Sequence, residues 1–276
     1  MMGNIDTKVV DGFADEWTRY DQSKLDNTEL EALFTSYFSI FPWKKLPEKP
    51  VGFDLGCGTG RWAKKVAPQV GILHCIDPSL KIIAIAKRNL QQNKNCRFHV
   101  AGADNIPVPD GSMDFGYSLG VLHHTPDTQA AIKACVLKLK PSAPLLLYLY
   151  YDFDNRPFWY RTIWQTSNLI RCIVSKMNYR MRYFTSVGIA FFIYLPLAKS
   201  TKLLEMVGMN VGSFPLSFYR NRSFYTMRTD ALDRFGTMLE NRFSRQKIKQ
   251  MMAAAGLENI RFSEKEPFWC AVGEKR

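Results

Sequence analysis

The chain has 276 residues, 46% of them apolar and 22% charged, with a formal net charge of +12. That length suits one large α/β domain, or a domain with a sizeable insertion, and the composition excludes wholesale disorder. The basic balance points to an anionic partner without saying where the charges sit.

Residues 1–45 read as a helical cap. Phe13, Trp17 and Tyr20 fall on one helix face, and Leu30, Leu33, Phe34, Tyr37 and Phe38 repeat the pattern. The start of the chain is polar and acidic and carries no apolar signal core. Pro42, Pro47 and Pro50 then mark a linker.

Next come short apolar runs that predict strands at Val51–Leu55, Gly71–Ile76, Arg97–Ala101, Met113–Leu119 and Pro144–Tyr150. Helices are expected between them, over Arg61–Ala67, Ser79–Asn89 and Thr128–Leu139. Strands alternating with helices imply a parallel sheet buried on both faces.

From Asp152 to Gly236 the alternation stops. This stretch holds 12 Lys or Arg against 5 Asp or Glu, a balance of +7. It reads as a helical insertion lying over the strand ends as an acceptor-side lid. Its run Tyr183–Ala198 is apolar but short and contains Gly188 and Pro196. A buried lid helix is the expectation there, and a helix at a membrane interface is the alternative. Regular structure resumes with Ser244 capping a helix to Ala255, then strands at Leu257–Phe262 and Phe268–Val272. The organisation is therefore 1–45 cap, 46–151 core, 152–236 insertion and 237–276 the last helix and two strands.

The six cysteines, Cys57, Cys75, Cys96, Cys135, Cys172 and Cys270, include no C-x-x-C pair, which removes zinc-ribbon and thioredoxin readings. A reducing, cytoplasmic setting is the simplest for them. No His, Asp or Glu cluster has metal-site spacing, so no metal is expected.

The strongest chemical signal is Asp54-Leu55-Gly56-Cys57-Gly58-Thr59-Gly60. A strand ending in glycines before a helix sets a ligand at the sheet's C-terminal edge, with helix N–H groups facing it. Dinucleotide binders favour G-x-G-x-x-G. Here the spacing is G-x-G-x-G with a carboxylate two residues ahead, which suits an ammonium group and repels a pyrophosphate. Asp77, closing the next strand, can accept hydrogen bonds from a ribose diol.

These residues resemble motif I and the acidic turn of class I S-adenosylmethionine (SAM) dependent methyltransferases. Gly102-Ala103-Asp104-Asn105-Ile106 resembles their adenine-side loop, Gly120-Val121-Leu122-His123-His124 their segment after strand four, and Leu139-Lys140-Pro141-Ser142-Ala143 their turn before strand five. The likeness runs over about residues 50–150 and is nearest to the UbiE-like small-molecule enzymes. It implies a Rossmann-like, mostly parallel seven-stranded sheet with SAM as cofactor. Gly56, Gly58 and Gly60 would border its methionine part together with Cys57 and Leu119. Asp54 would hold its amino group and Asp77 with Pro78 the ribose. Ala103, Asp104 and Ile106 would flank the adenine, with Gly102 departing from the family's usual Asp.

His123 and His124 are candidate bases, and Tyr20, Tyr151, Tyr219 and Arg220 candidate acceptor contacts. Arg beside aromatic rings suits an anionic small molecule, a lipid-linked compound or a glycan, methylated at oxygen. Nucleic acid is not the expected acceptor, because Ser118-Leu119-Gly120-Val121 lacks the Pro-Pro-aromatic motif of amine methylases. Peripheral membrane contact through the insertion stays open. The competing readings are an NAD-type oxidoreductase and a non-catalytic SAM-fold protein that binds an anionic partner.

Overall fold

The computed structural model describes residues 4–19, 26–212 and 214–276. Tyr20 lies outside them. The chain divides into two compact units, one formed by residues up to Asp152 with Leu239–Arg276 and the other by Phe153–Met238.

The first unit opens with α1 (Thr7–Arg19) and α2 (Asn27–Tyr37), the latter capped by the Asp26 carboxylate. The core follows as β1 (Val51–Leu55), α3 (Ala63–Val66), β2 (Ile72–Asp77), α4 (Leu80–Asn89), β3 (Cys96–Val100), β4 (Phe115–Leu119), α5 (Thr128–Lys138) and β5 (Pro144–Tyr148). The strands form one seven-stranded sheet in the order β3-β2-β1-β4-β5-β7-β6, where β6 is Leu257–Phe262 and β7 is Cys270–Lys275. All pairs are parallel except those made by β7. Strand order reverses between β1 and β4, the switch point at which open α/β sheets bind ligands.

Three departures from expectation have local causes. Helix α3 is a single turn, followed by a 3₁₀ turn at Ala67–Gln69 that carries Pro68. Strand β3 lies at the sheet edge, so only Cys96 is buried and the other four residues are partly or fully exposed. Strand β7 starts later than its apolar run because Phe268 and Trp269 pack their rings around Tyr151, while Gly273, Glu274 and Lys275 carry the ladder on to its end.

The centre of the sheet rests on a reciprocal exchange. Gly52 pairs with Phe115 and Phe53 with Gly116 across β1 and β4. A Cβ at Gly52 would stand 2.3 Å from the Phe115 ring, and one at Gly116 would stand 2.3 Å from the Phe53 ring. Successive strand residues face opposite sides, so each face of the sheet receives one ring over one glycine. The next pair in register is Asp54 with Tyr117.

The second unit is helical: α6 (Phe158–Val174), α7 (Tyr179–Ile189), α8 (Leu195–Met206) and α9 (Phe224–Gly236). Val174, Ala190, Tyr194, Ala198, Met227, Ala231 and Phe235 form its core. Here the expectation of a short, buried lid helix is corrected. Helices α7 and α8 run on as one 28-residue helix, Tyr179–Met206, and only 22% of its most apolar window is buried. Pro196 does not end it because a wide π turn at Ala190–Tyr194 comes just before, loosening the backbone at Phe192, where the proline ring would clash. The last helix of the first unit, α10 (Arg245–Ala254), is capped by Ser244 and closes at Gly256 with φ +98°.

Replacing Gly116 with Ala should overpack the sheet centre and lower stability by about 1–3 kcal/mol. Denaturant midpoints of Gly116→Ala, and of the same change combined with Phe53→Leu, check this; the second change should recover part of the loss.

Candidate cofactor and active site

The C-terminal ends of β1, β2 and β4 bring Asp54, Asp77 and Leu119 to the switch point. Asp54 is 1% exposed. The Tyr117 hydroxyl donates to its Oδ2 at 3.0 Å, while its Oδ1 is buried with no partner among the described residues. Burial pushes the carboxyl up to about 8; the Tyr117 hydrogen bond opposes this and the Asp77 charge adds to it. A buried acceptor left open is costly unless something fills it. An ammonium group is the matching donor.

Asp77 is also buried, and its Oδ2 and Oδ1 accept from the backbone N–H groups of Gly58 and Ser79 at 3.2 and 3.0 Å. Burial raises its carboxyl to about 6 against those two bonds. The same contacts correct one expectation. The loop's N–H groups do not all face outward: those of Gly56 and Cys57 donate to Ile76 O, that of Gly58 to Asp77 and that of Gly60 to Cys57 O. The glycine loop is laced to the end of β2.

The glycines also differ in purpose. A Cβ at Gly56 would strike Val121 and one at Gly60 would strike Leu90, so packing keeps those two bare. Only Gly58, at φ +53°, faces open space, with nothing within 4 Å of an added Cβ. The Cys57 thiol is 3% exposed; a hydrogen bond with Cys75 lowers its pKa, but burial and nearby carboxylates carry it up to about 11, so it is no nucleophile.

Pro78 is half-buried, Leu119 is 7% exposed, and Ala103 and Ile106 belong to the core cluster, whereas Asp104 is exposed. At Gly102 the Ile5 side chain lies 2.3 Å from where a Cβ would stand, filling the room an Asp would need. Two apolar residues passed over in the sequence, Leu80 and Val100, stand 70% and 51% exposed at the start of α4 and the end of β3. Val100 is the register partner of Asp77, so the pair offers apolar surface to a flat ring beside the acid.

Beyond β4 a 3₁₀ turn carries His123 and His124. His123 is fully enclosed, its ring stacked on Tyr150 at 3.8 Å, with no partner for either nitrogen among the described residues. Burial, His124 and Arg242 hold its pKa well below the usual histidine value, so it is neutral. His124 is oriented differently. Its Nδ1 lies 2.7 Å from Leu239 O, and a carbonyl only accepts, so Nδ1 carries the proton and Nε2 the lone pair. That Nε2 has no partner among the described residues. Phe13 of α1 lies 5.0 Å from the same ring, and Asn4 exchanges hydrogen bonds with the backbone of Asp127, tying the start of the chain to the segment after β4.

The expected acceptor contacts are engaged elsewhere. The Tyr151 ring packs towards Phe268 and Trp269. Within the second unit, the Tyr219 hydroxyl donates to Asp230 and Arg220 pairs with Glu205 at 2.9 Å, so both serve that unit's own scaffold. The residue that sequence reasoning missed is Tyr117. Its signal was its register opposite Asp54, which only the paired strands reveal. Among the described residues no group of three or more His, Cys, Asp or Glu could hold a metal.

Residues 53–147 match the family model described as a methyltransferase domain. Over 100 residues the chain is 32% identical to phosphoethanolamine N-methyltransferase 2 of Caenorhabditis elegans, covering 35% of this chain and 23% of that protein. It is 34% identical over 156 residues to the human protein named "Probable tRNA methyltransferase 9B", covering 50% and 33% of the two chains. To ubiquinone biosynthesis O-methyltransferase of Coxiella burnetii it is 27% identical over 106 residues, covering 38% and 44%. The chain thus spans less than half the length of each of these relatives. A SAM-dependent methyltransferase from Methanosarcina mazei shares the fold at TM-score 0.51 and 15% identity, covering 84% of this chain and 95% of that one.

The raised pKa of Asp54 has a testable sign. Between its ordinary value of 3.8 and about 8 the folded state holds a proton that the unfolded chain gives up. This contribution is complete at low pH and is lost as pH rises through about 8. Thermal unfolding of the ligand-free protein should therefore show stability falling with pH across that window relative to Asp54→Asn, which has no such proton.

Proposed function

We propose that this chain, whose core is a class I methyltransferase domain, binds SAM at the β1–β4 switch point and transfers its methyl group to the hydroxyl of a small, lipid-linked or sugar-linked acceptor. The observation that carries the reading is the buried Asp54 carboxylate with one oxygen unpartnered, inside the matched domain. The residues fit the cofactor. Asp54 Oδ1 would accept from its ammonium and Asp77 from its ribose hydroxyls, and the open space at Gly58 would admit its methionine part. Kinship with UbiE-like small-molecule enzymes is part of the same reading, and similarity to a ubiquinone O-methyltransferase supports it.

Bound SAM supplies an electrophilic methyl on a sulfonium whose departure needs no protonation. What remains for the protein is alignment of the acceptor and removal of its proton. An oxygen acceptor becomes a better nucleophile as it loses that proton. His124 is suited to take it, because Leu239 O holds the tautomer with the lone pair on Nε2. His123 stays neutral behind it and adds no charge to compete. The same reading gives the second unit acceptor selection and a peripheral contact with membrane.

Binding and transfer measurements test this. Calorimetry at pH 7 should show SAM binding with release of close to one proton, as the ammonium holds Asp54 ionised; tight NAD binding without SAM binding would overturn the assignment. Gly58→Arg should abolish SAM binding in a protein whose circular dichroism is unchanged, and Asp77→Ala should weaken it by about 1–3 kcal/mol. With methyl-labelled SAM and cell extract as acceptor source, label should appear as an alkali-stable ether. His124→Gln should slow that transfer about 10²- to 10⁴-fold while leaving SAM affinity intact.

A further inference from the structure

The apolar surface of this protein is unevenly distributed. Among the described residues, every large apolar side chain more than a third exposed, except Leu80, Val100 and Leu137, belongs to Phe153–Met238. On the long helix, Ser186, Ala190, Tyr194, Ala198 and Thr201 form the buried stripe, at spacings of four and three. The opposite side carries Phe184 at 70%, Phe192 at 76% and Leu203 at 64% exposure. Helix α6 does likewise, with Ile163, Leu169 and Ile173 between 51% and 67% exposed. A helical unit of this size would ordinarily turn such faces inward.

The same unit is strongly basic. The unit holds 12 Lys and Arg against 4 Asp and Glu, a formal +8 of the chain's +12. Lys176 and Arg180 are exposed at the turn between α6 and α7, and Lys199 and Lys202 on α8. Among the described residues Glu205 is the single exposed acid of the unit, and it is paired with Arg220.

We infer that the outward faces of α6 and the Tyr179–Met206 helix seat the second unit flat on an anionic phospholipid bilayer. This deepens the membrane contact in the proposed function and rests on it. Phe184, Phe192 and Leu203 enter the acyl boundary while the lysines meet headgroup phosphates, their methylene stems lying along the apolar surface. By length and composition the Tyr179–Met206 helix is long and apolar enough to cross a membrane, but the inferred placement is flat. The apolar run from Tyr183 to Ala198 covers about 24 Å at 1.5 Å per residue, against a hydrocarbon core of about 30 Å. Its buried stripe is also held by α9, in the core with Met227, Ala231 and Phe235. A second copy fits this surface poorly, because it would bring +8 against +8. RNA would match the charge and the Phe rings, but has no use for the exposed Ile163, Leu169, Ile173 and Leu203 that continue the same apolar surface.

The test is co-sedimentation of the full chain with vesicles of phosphatidylcholine alone and of phosphatidylcholine mixed with phosphatidylglycerol. The protein should pellet with the anionic vesicles and be released by salt. Phe184→Asp with Phe192→Asp should abolish binding. Lys199→Gln with Lys202→Gln should weaken it by about tenfold or more. Both pairs are exposed, so folding and SAM affinity by calorimetry should be unchanged in either variant. Failure to pellet with anionic vesicles overturns the inference. So does a homodimer in light scattering that Phe184→Asp with Phe192→Asp dissociates, or RNA binding that this variant retains while vesicles go unbound. Loss of SAM binding in the unaltered protein would instead refute the proposed activity and leave the vesicle result standing by itself.

Discussion

A carboxylate held out of water at the end of the central strand is the constraint on which the first unit depends. Asp54 sits where β1 meets β4, too deep for solvent to stabilise its charge, with one donor, Tyr117, and one open oxygen. Such a group is held neutral by its proton unless a cation completes it, and its position depends on a rigid surround. Rigidity comes from directly below. Gly52 admits the Phe115 ring on one face and Gly116 the Phe53 ring on the other, so β1 and β4 cannot slip in register without driving a ring into a neighbour.

From that anchor the rest of the site is positioned by backbone hydrogen bonds. The glycine loop is tied to β2 through Ile76 O and the Asp77 carboxylate, which places the second acid beside Gly58. The turn after β4 leaves His124 with a single defined lone pair. The proposed methyl transfer asks little beyond this of the protein: two buried carboxylates held in place and an imidazole of fixed orientation.

The second unit obeys a different balance. Along its long helix it places small and hydroxylated residues, Ser186, Ala190, Ala198 and Thr201, in internal packing and leaves Phe184, Phe192 and Leu203 outside. Close approach of helices favours small side chains at the contact, which accounts for the inner stripe. The outer stripe has no such account within the unit, and this is why an external apolar phase is the natural counterpart.

Much of the core was legible because local chemistry determines it. Five short apolar runs alternating with helical stretches dictate a parallel sheet, Ser244 carries a helix-start signal, and Asp54, three glycines and Asp77 follow in the order that closes two neighbouring strands at one edge of the sheet. What the tertiary structure alone decided are the relations between distant segments: Tyr117 reaching Asp54, Ile5 filling the room beside Gly102, Val121 and Leu90 claiming the space above Gly56 and Gly60, and Leu239 O choosing the tautomer of His124. It also decided which way the apolar stripe of Tyr179–Met206 faces. Periodicity reports that a helix has two sides, but the side that is buried depends on partners far along the chain, and pairing at that distance leaves no trace in local spacing.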